Sequence, residues 1–200
     1  MRFFCCIFFI FFFADLWSQK ISERSRYEKC WAFAHPFAAL KVKKIYKKCV
    51  PLYEELKKSK ALDHFENGGK LDAFRHTFFM AAFDQKIKTR KLRKLGIAHE
   101  KGNYARFLKN IKEDGELADS LSTVMDLKNN ELGFRIGSVN KKKDLQNLKE
   151  LVIEEIKKGE AVYFKRNLSG NYLNCAGEVI ILGNYQNKWF IPKCLIATNL

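Results

Sequence analysis

Residues 71–83 read LDAFRHTFFMAAF, a run of apolar and aromatic side chains that opens with Asp72, Arg75 and His76 inside five positions. Asn67-Gly68-Gly69 just before it is a turn signal, so the run is expected to begin a helix there. Residues four apart on a helix share a face, which sets Asp72 against His76, and Phe79 and Phe83 continue the same stripe. Two readings follow for a segment so suited to burial. In one, Asp72 caps the helix and His76 sits in its first turn. In the other, the carboxylate fixes the tautomer of the imidazole and raises its basicity, while Arg75 adds a fork for an anion.

The flanking segments read as helices too. "YEKCWAFAHPFAALKVKKIYKK", residues 27–48, is helical but interrupted at His35-Pro36, so two pieces or one bent helix are expected. Thr89 to Ile111 forms the next, with Tyr104, Leu108 and Ile111 at helical spacing and Glu113-Asp114-Gly115 as its stop. Asp119 is a good N-cap for a helix running to about Gly137. Another spans Asp144 to Lys158, with Leu145, Leu148, Val152 and Ile156 on one stripe and Gly159 as its end. After Gly159 β-branched and aromatic residues alternate with Asn/Gly turns, which predicts short strands or a hairpin with GNYQNK, residues 183–188, as its loop. The expected fold is mainly α, a multi-helix core with a small β-rich C-terminal hairpin region. Its divisions are a leader over residues 1–18, a helical unit over 19–160 and a short-strand extension over 161–200.

Two further helices carry polar insertions. In LGIAHEKGNY, residues 95–104, His99 shares a face with Leu92 and Leu95, and Glu100 with Tyr104 and Phe107. In MDLKNNELGFRIG, residues 125–137, Asp126, Asn130, Gly133 and Gly137 fall at i, i+4, i+7 and i+11, a continuous polar and small face with Asn129 alongside. Adjacent asparagines form helix poorly unless their amides find partners, so this face is either a packing seam with buried hydrogen bonds or a site that a ligand approaches closely. The three stretches together provide bases, a cationic fork and amide donors, which suits hydrolysis of an anionic substrate. On that reading His76, His99, Glu100 and Asp126 are catalytic, Arg75, Asn129 and Asn130 bind substrate, and Asp72 orients His76. The same groups are numerous enough to hold one divalent metal. No tight H-x-x-x-H or H-E-x-x-H pair preassembles such a site, however, and Arg75 beside His76 repels a cation, so the expectation is a metal-free acid–base site with no cofactor assigned.

These motifs, Arg75-His76 in an aromatic helix, His99-Glu100, and Asp126-x-x-Asn129-Asn130-x-x-Gly133, resemble a family of bacterial, often exported, domains of unknown function, over about residues 68–137. The resemblance implies that these positions matter and brings no reaction with it. Arg75-His76 followed by aromatic residues is also similar to the active-site helix of small secreted bacterial and fungal phospholipases A2, which are basic, helical and disulfide-stapled. That family has Asp directly after its histidine, for calcium and water activation, where Thr77 stands here. A lipase of that kind is therefore a minor branch.

Met1 and Arg2 precede an almost unbroken apolar run, Phe3 to Phe13, too short for a comfortable membrane span and suited to a secretory leader cleaved near Ser18/Gln19. Export to the periplasm or the extracellular space, with no transmembrane anchor in the mature chain, is expected. Of the 6 cysteines, Cys5 and Cys6 fall in this leader and leave Cys30, Cys49, Cys175 and Cys194. An even count in an oxidising compartment suggests two disulfides, and the local pairs 30–49 and 175–194 are the most economical of three connectivities.

Lys and Arg number 37 against 22 Asp and Glu, a formal charge of +15, with lysines spread through KVKKIYKK (41–48), KIKTRKLRK (86–94) and NKKKD (140–144). A chain this basic favours an anionic substrate or envelope surface, or is simply a lysine-rich soluble surface. It shows no recognition motif for specific nucleic acid. The leading expectation is an exported hydrolase whose anionic substrate is an envelope polymer, a lipid or a phosphoester. The competing one is a non-enzymatic exported binding or envelope protein with a buried structural polar network.

Overall fold

The computed structural model describes residues 24–112 and 116–200. The leader with Cys5 and Cys6, and the expected stop at Glu113-Asp114-Gly115, lie outside the described residues.

The quoted stretch is the central helix of the molecule. Helix α1 spans Arg26–Ala34, α2 Pro36–Ser59, α3 Lys70–Asp84, α4 Thr89–Phe107, α5 Ser120–Val139 and α6 Leu145–Lys158. Short strands β1, Val162–Phe164, and β2, Leu195–Ala197, pair antiparallel with Tyr163 opposite Ile196. Helix α3 touches α2, α4, α5, α6 and β1. It can do so because it is apolar nearly all round, and a helix of that kind is stable only when enclosed. Phe74 and Phe78 are fully buried and stacked at 5.1 Å, with Leu71, Leu92, Met125, Leu148 and Ile156 around them.

Helix ends follow the local chemistry of the chain. Pro36 stands at the start of α2, where its missing N–H is no loss, and divides α1 from α2 at His35. Asp119 caps α5 by accepting from the N–H groups of Leu121 and Ser122, and Asp144 caps α6 by accepting from that of Asn147. Gly159 closes α6 in the left-handed region at φ 90°. Helix α3 starts at Gly69, which has no side chain to cap with, so Asp63 from the preceding loop takes the N–H groups of Lys70 and Leu71 instead, at 2.6 and 3.1 Å.

Helix α4 stops at Phe107 rather than at Ile111. Asn110 turns into the left-handed region at φ 54°, and Leu108 and Ile111 are exposed instead of continuing a buried stripe. The C-terminal strands form the expected antiparallel hairpin, but GNYQNK is only part of what joins them. GNYQNK falls within the 165–194 connection, around a 3-10 turn at Leu182–Tyr185, and bridges at Arg166–Tyr172 and Leu173–Val179 organise the rest. This segment still completes the core, placing Phe164, Tyr172, Ile180 and Ile191 among the helices.

Cys175 and Cys194 form a disulfide, with Cα atoms 4.7 Å apart. The expected second pair, Cys30 with Cys49, is not made. Cys49 is fully buried on the inner side of α2, whereas Cys30 is exposed on α1, so the two thiols face different environments. Among the described residues no helix is long and apolar enough to cross a membrane.

Candidate functional site

Helices α3 and α5 cross with their backbones almost in contact, and the glycines of the polar face on α5 allow it. A Cβ at Gly133 would collide with the carbonyl oxygen of Thr77, and one at Gly137 with that of Ala81. The lower half of that face is therefore a packing seam. Its upper half, Asp126 and Asn130, meets His76.

His76 Nε2 lies 3.4 Å from Asp72 Oδ1 and 3.3 Å from Asp126 Oδ1. These are ion-pair contacts rather than aligned hydrogen bonds, and Nε2 is buried without a hydrogen-bond partner. On the other side of the ring Nδ1 lies 3.4 Å from Asn130 Oδ1. Asp72 does not cap the helix, a task taken by Asp63, but ties the preceding loop to Arg75. Its Oδ2 accepts the N–H of Gly68 at 2.7 Å, and its Oδ1 accepts from Arg75 Nη2 at 2.6 Å and from Arg75 Nε at 3.1 Å. Gly68 is held at φ +67°, where a Cβ would also strike the Phe164 ring, and its carbonyl takes the Phe164 N–H at 2.9 Å. Strand β1 thus buttresses the loop that positions Asp72.

Groups of opposite sign shift one another inside this cluster. Burial opposes ionisation of Asp72, but Arg75 and His76 outweigh it and hold the carboxyl well below the usual range. Burial would also lower His76, yet Asp126 and Asp72 on either side outweigh it and raise the ring to about 9. Asp126 is pushed up, first by burial and then by the nearby carboxylates, against the pull of His76. Asp126 accepts no hydrogen bond from any described residue. Arg75 Nη1 likewise has no partner among them, so the guanidinium can still receive an anion beyond Asp72.

The second histidine stands close by. His99 Nδ1 lies 3.4 Å from Glu28 Oε1, a residue of α1 that sequence reasoning missed. Glu28 is already the partner of Ser25 in the capping box of α1. Burial pushes its carboxyl up, but the bonds from His99 and Ser25 hold it at about 2, and Glu28 and Glu100 raise His99 against its own burial. Glu100 is buried, which raises its carboxyl; Oε2 accepts from Asn103 at 3.2 Å and from Thr123 at 3.0 Å, while Oε1 has no partner.

Two hollows meet at this cluster. A small polar cavity of about 50 Å³ is bordered by Asp72, Asp126, Asn103 and Lys193, with the Phe164 and Tyr172 rings as walls. A groove of about 440 Å³ runs between α2, α3 and α4 over Val42, Tyr46, Phe79, Phe83 and Leu95, and reaches His76 and Asn130. Arg75 and His99 line both.

Asn129, expected to bind substrate, does not face either hollow. It is fully buried, with its amide donating to the Val162 carbonyl at 2.9 Å and accepting the Val162 N–H at 3.0 Å, so it anchors β1 to α5. Successive helical residues point about 100° apart, which separates it from Asn130. Thr77, where the phospholipase pattern requires Asp, turns its hydroxyl away to the Asn129 carbonyl at 3.2 Å. The side chains of Asp72, His76 and Asp126 could hold a cation, since one ligand atom from each lies within 4.8 Å of the others, although Arg75 already engages the Asp72 oxygen that would be shared.

A family model described as "Domain of unknown function (DUF6973)" matches residues 29–160, and the chain belongs to that family. No curated protein and no solved structure matches it.

Proposed function

We propose that this DUF6973 member is an exported hydrolase of an anionic substrate that works by carboxylate and histidine proton transfer at the junction of the two hollows. One observation carries the reading. Buried polar groups in a structural network find partners, yet here His76 Nε2, at the end of the groove, and Glu100 Oε1 behind it are buried without hydrogen bonds, and Asp126, which borders the small cavity, accepts none from the described residues. Groups left unsatisfied at a cavity are what a reacting ligand would complete, whereas a purely structural network of the competing kind would have closed on itself.

In this reading an anionic group of the substrate rests on Arg75 Nη1. Asp126, with its raised affinity for protons, takes a proton from the attacking water while the His76 imidazolium stabilises the charge that develops. His99, which lines both hollows, returns a proton to the leaving group, and Glu28 holds its ring in place. Glu100, bonded to Thr123 one turn before Asp126, positions that segment of α5. Export is supported by the Cys175–Cys194 disulfide together with the apolar leader in the sequence.

The test is hydrolysis of a panel of chromogenic phosphomonoesters, phosphodiesters and anionic carboxylic esters by the wild type, Asp126→Asn and His99→Gln. A turned-over substrate should lose about a hundredfold or more in rate with either variant. Rates unaffected by Asp126→Asn would remove the assignment.

A further inference from the structure

Large apolar side chains break the surface where α1 gives way to α2. Phe33, near the end of α1, is 90% exposed, Phe37 in the first turn of α2 is 81% exposed, and Leu40 is 58% exposed. Single exposed apolar residues are ordinary on a monomer, but three flanking one helix break call for a partner. The chemistry around them is one-sided. No acidic residue occurs between Lys29 and Tyr53. Lys41, Lys44, Lys47 and Lys48 are all exposed, and none has a carboxylate partner among the described residues. Lys41, Lys44 and Lys48 follow Phe37 at i+4, i+7 and i+11, so they lie on its side of α2.

We propose that this corner, the end of α1 with the first turns of α2, docks on an anionic lipid bilayer. Phe33, Phe37 and Leu40 enter the boundary between headgroups and acyl chains, and Lys41, Lys44, Lys47 and Lys48 lie against the phosphates. Apolar insertion and lysine attraction are the two contributions that together make peripheral binding stable, each being marginal alone. The charge pattern selects this occupant over a second copy of the chain, because a two-fold contact through the same face would set lysines against lysines. It selects lipid over nucleic acid because Leu40 offers no ring for a base to stack on, and the rings protrude instead of lining a basic groove. The face also leads inward. Tyr46, half-exposed on α2, has its ring 5.2 Å from that of Phe79 and lines the apolar groove that ends at His76. A docked molecule would open that groove beside the bilayer.

Binding is measured without turnover, so the result stands apart from the proposed hydrolysis. The full chain is sedimented with vesicles of phosphatidylcholine alone and of phosphatidylcholine with roughly a third phosphatidylglycerol. Binding to the anionic vesicles is expected, weakening as salt is raised. Phe33→Ser/Phe37→Ser and Lys44→Glu/Lys48→Glu should each lower it by about tenfold or more while melting at the wild-type temperature. All forms carry the same N-terminal residues, and vesicles of phosphatidylcholine alone read any salt-independent binding through them, which is subtracted before the forms are compared. Failure of the wild type to bind anionic vesicles, or undiminished binding by the double-serine variant, overturns the proposal. Loss of self-association in that variant, or tighter binding to duplex DNA than to vesicles, reassigns the face and overturns it equally.

Discussion

Asp126 has one ion-pair partner among the described residues, the imidazole of His76 at 3.3 Å. With the contact of His76 Nδ1 to Asn130, it ties α5 to α3 above the glycine seam. Around it the carboxyl groups of Asp72 and Asp126 face the His76 ring and the Arg75 guanidinium, so groups of opposite sign are buried against one another. Buried charge is tolerated on those terms and is costly when one member is taken away.

His76→Ala should therefore destabilise the protein by about 3 kcal/mol at neutral pH, since it leaves Asp72 and Asp126 facing each other with Arg75 alone. Asp126→Asn removes the carboxylate that burial already disfavours and should cost less than about 1 kcal/mol. Urea unfolding of both variants compares them directly. Equal losses would mean that the cluster is held by packing and not by charge balance.

Glu28 and His99 should leave a mark on the pH dependence of stability. Glu28 is lowered in the fold to about 2 from 4.5, so its contribution is present above about 4.5 and disappears as pH falls toward 2. His99 is raised from 6.5, so its contribution is full below about 6.5 and is lost as pH rises through the folded value. The melting temperature of the wild type minus that of Glu28→Gln should be largest between those two limits and shrink on both sides. A difference independent of pH would show that Glu28 acts only as the helix cap of Ser25.

The legible parts of this fold are those decided by neighbours in sequence. Asp119, Asp144, Pro36 and Gly159 mark helix ends through their own side chains or backbone freedom, and the structure uses each of them there. The end of α4 was not legible, because Tyr104 and Phe107 pack on Trp189, both at 4.9 Å, from a segment that no local pattern connects to them. Glu28 was hidden for the same reason, being 71 positions from His99. Within the site, i and i+4 spacing correctly brought Asp72 to His76 and aligned Asp126 with Asn130. Adjacency misled at Asn129, whose side chain points to β1.

The thiols give a third prediction. In the native protein iodoacetamide should label Cys30 and spare Cys49, which is buried and has its thiol pushed up to about 12 by that burial. Cys49 should react only in denaturant, and Cys175 and Cys194 only after reduction. Peptide mapping by mass spectrometry reads all of these positions at once. A recovered 30–49 disulfide would require α1 to leave its place against α4, where Trp31 Nε1 donates to the Lys91 carbonyl at 2.8 Å.

Metal content separates the two forms of chemistry that Asp72, His76 and Asp126 allow. Three ligand atoms converge, and the 3.3 and 3.4 Å separations about His76 Nε2 are close to those between ligands of one tetrahedral zinc at about 2.0–2.1 Å. Against a metal stands Arg75, whose Nη2 is 2.6 Å from the same Asp72 oxygen that points at His76. A divalent ion there would have to compete with a proton for His76 and sit beside a guanidinium already bound to Asp72, so two cations would share one carboxylate. Protein purified without chelator should therefore contain well under one equivalent of zinc or manganese. Adding either at millimolar concentration should raise the melting temperature by less than a degree or so, because a ligand stabilises only by what it binds. A stoichiometric metal that is lost on Asp126→Asn would instead make His76 a ligand, and would pass the role of base to His99 or Glu100.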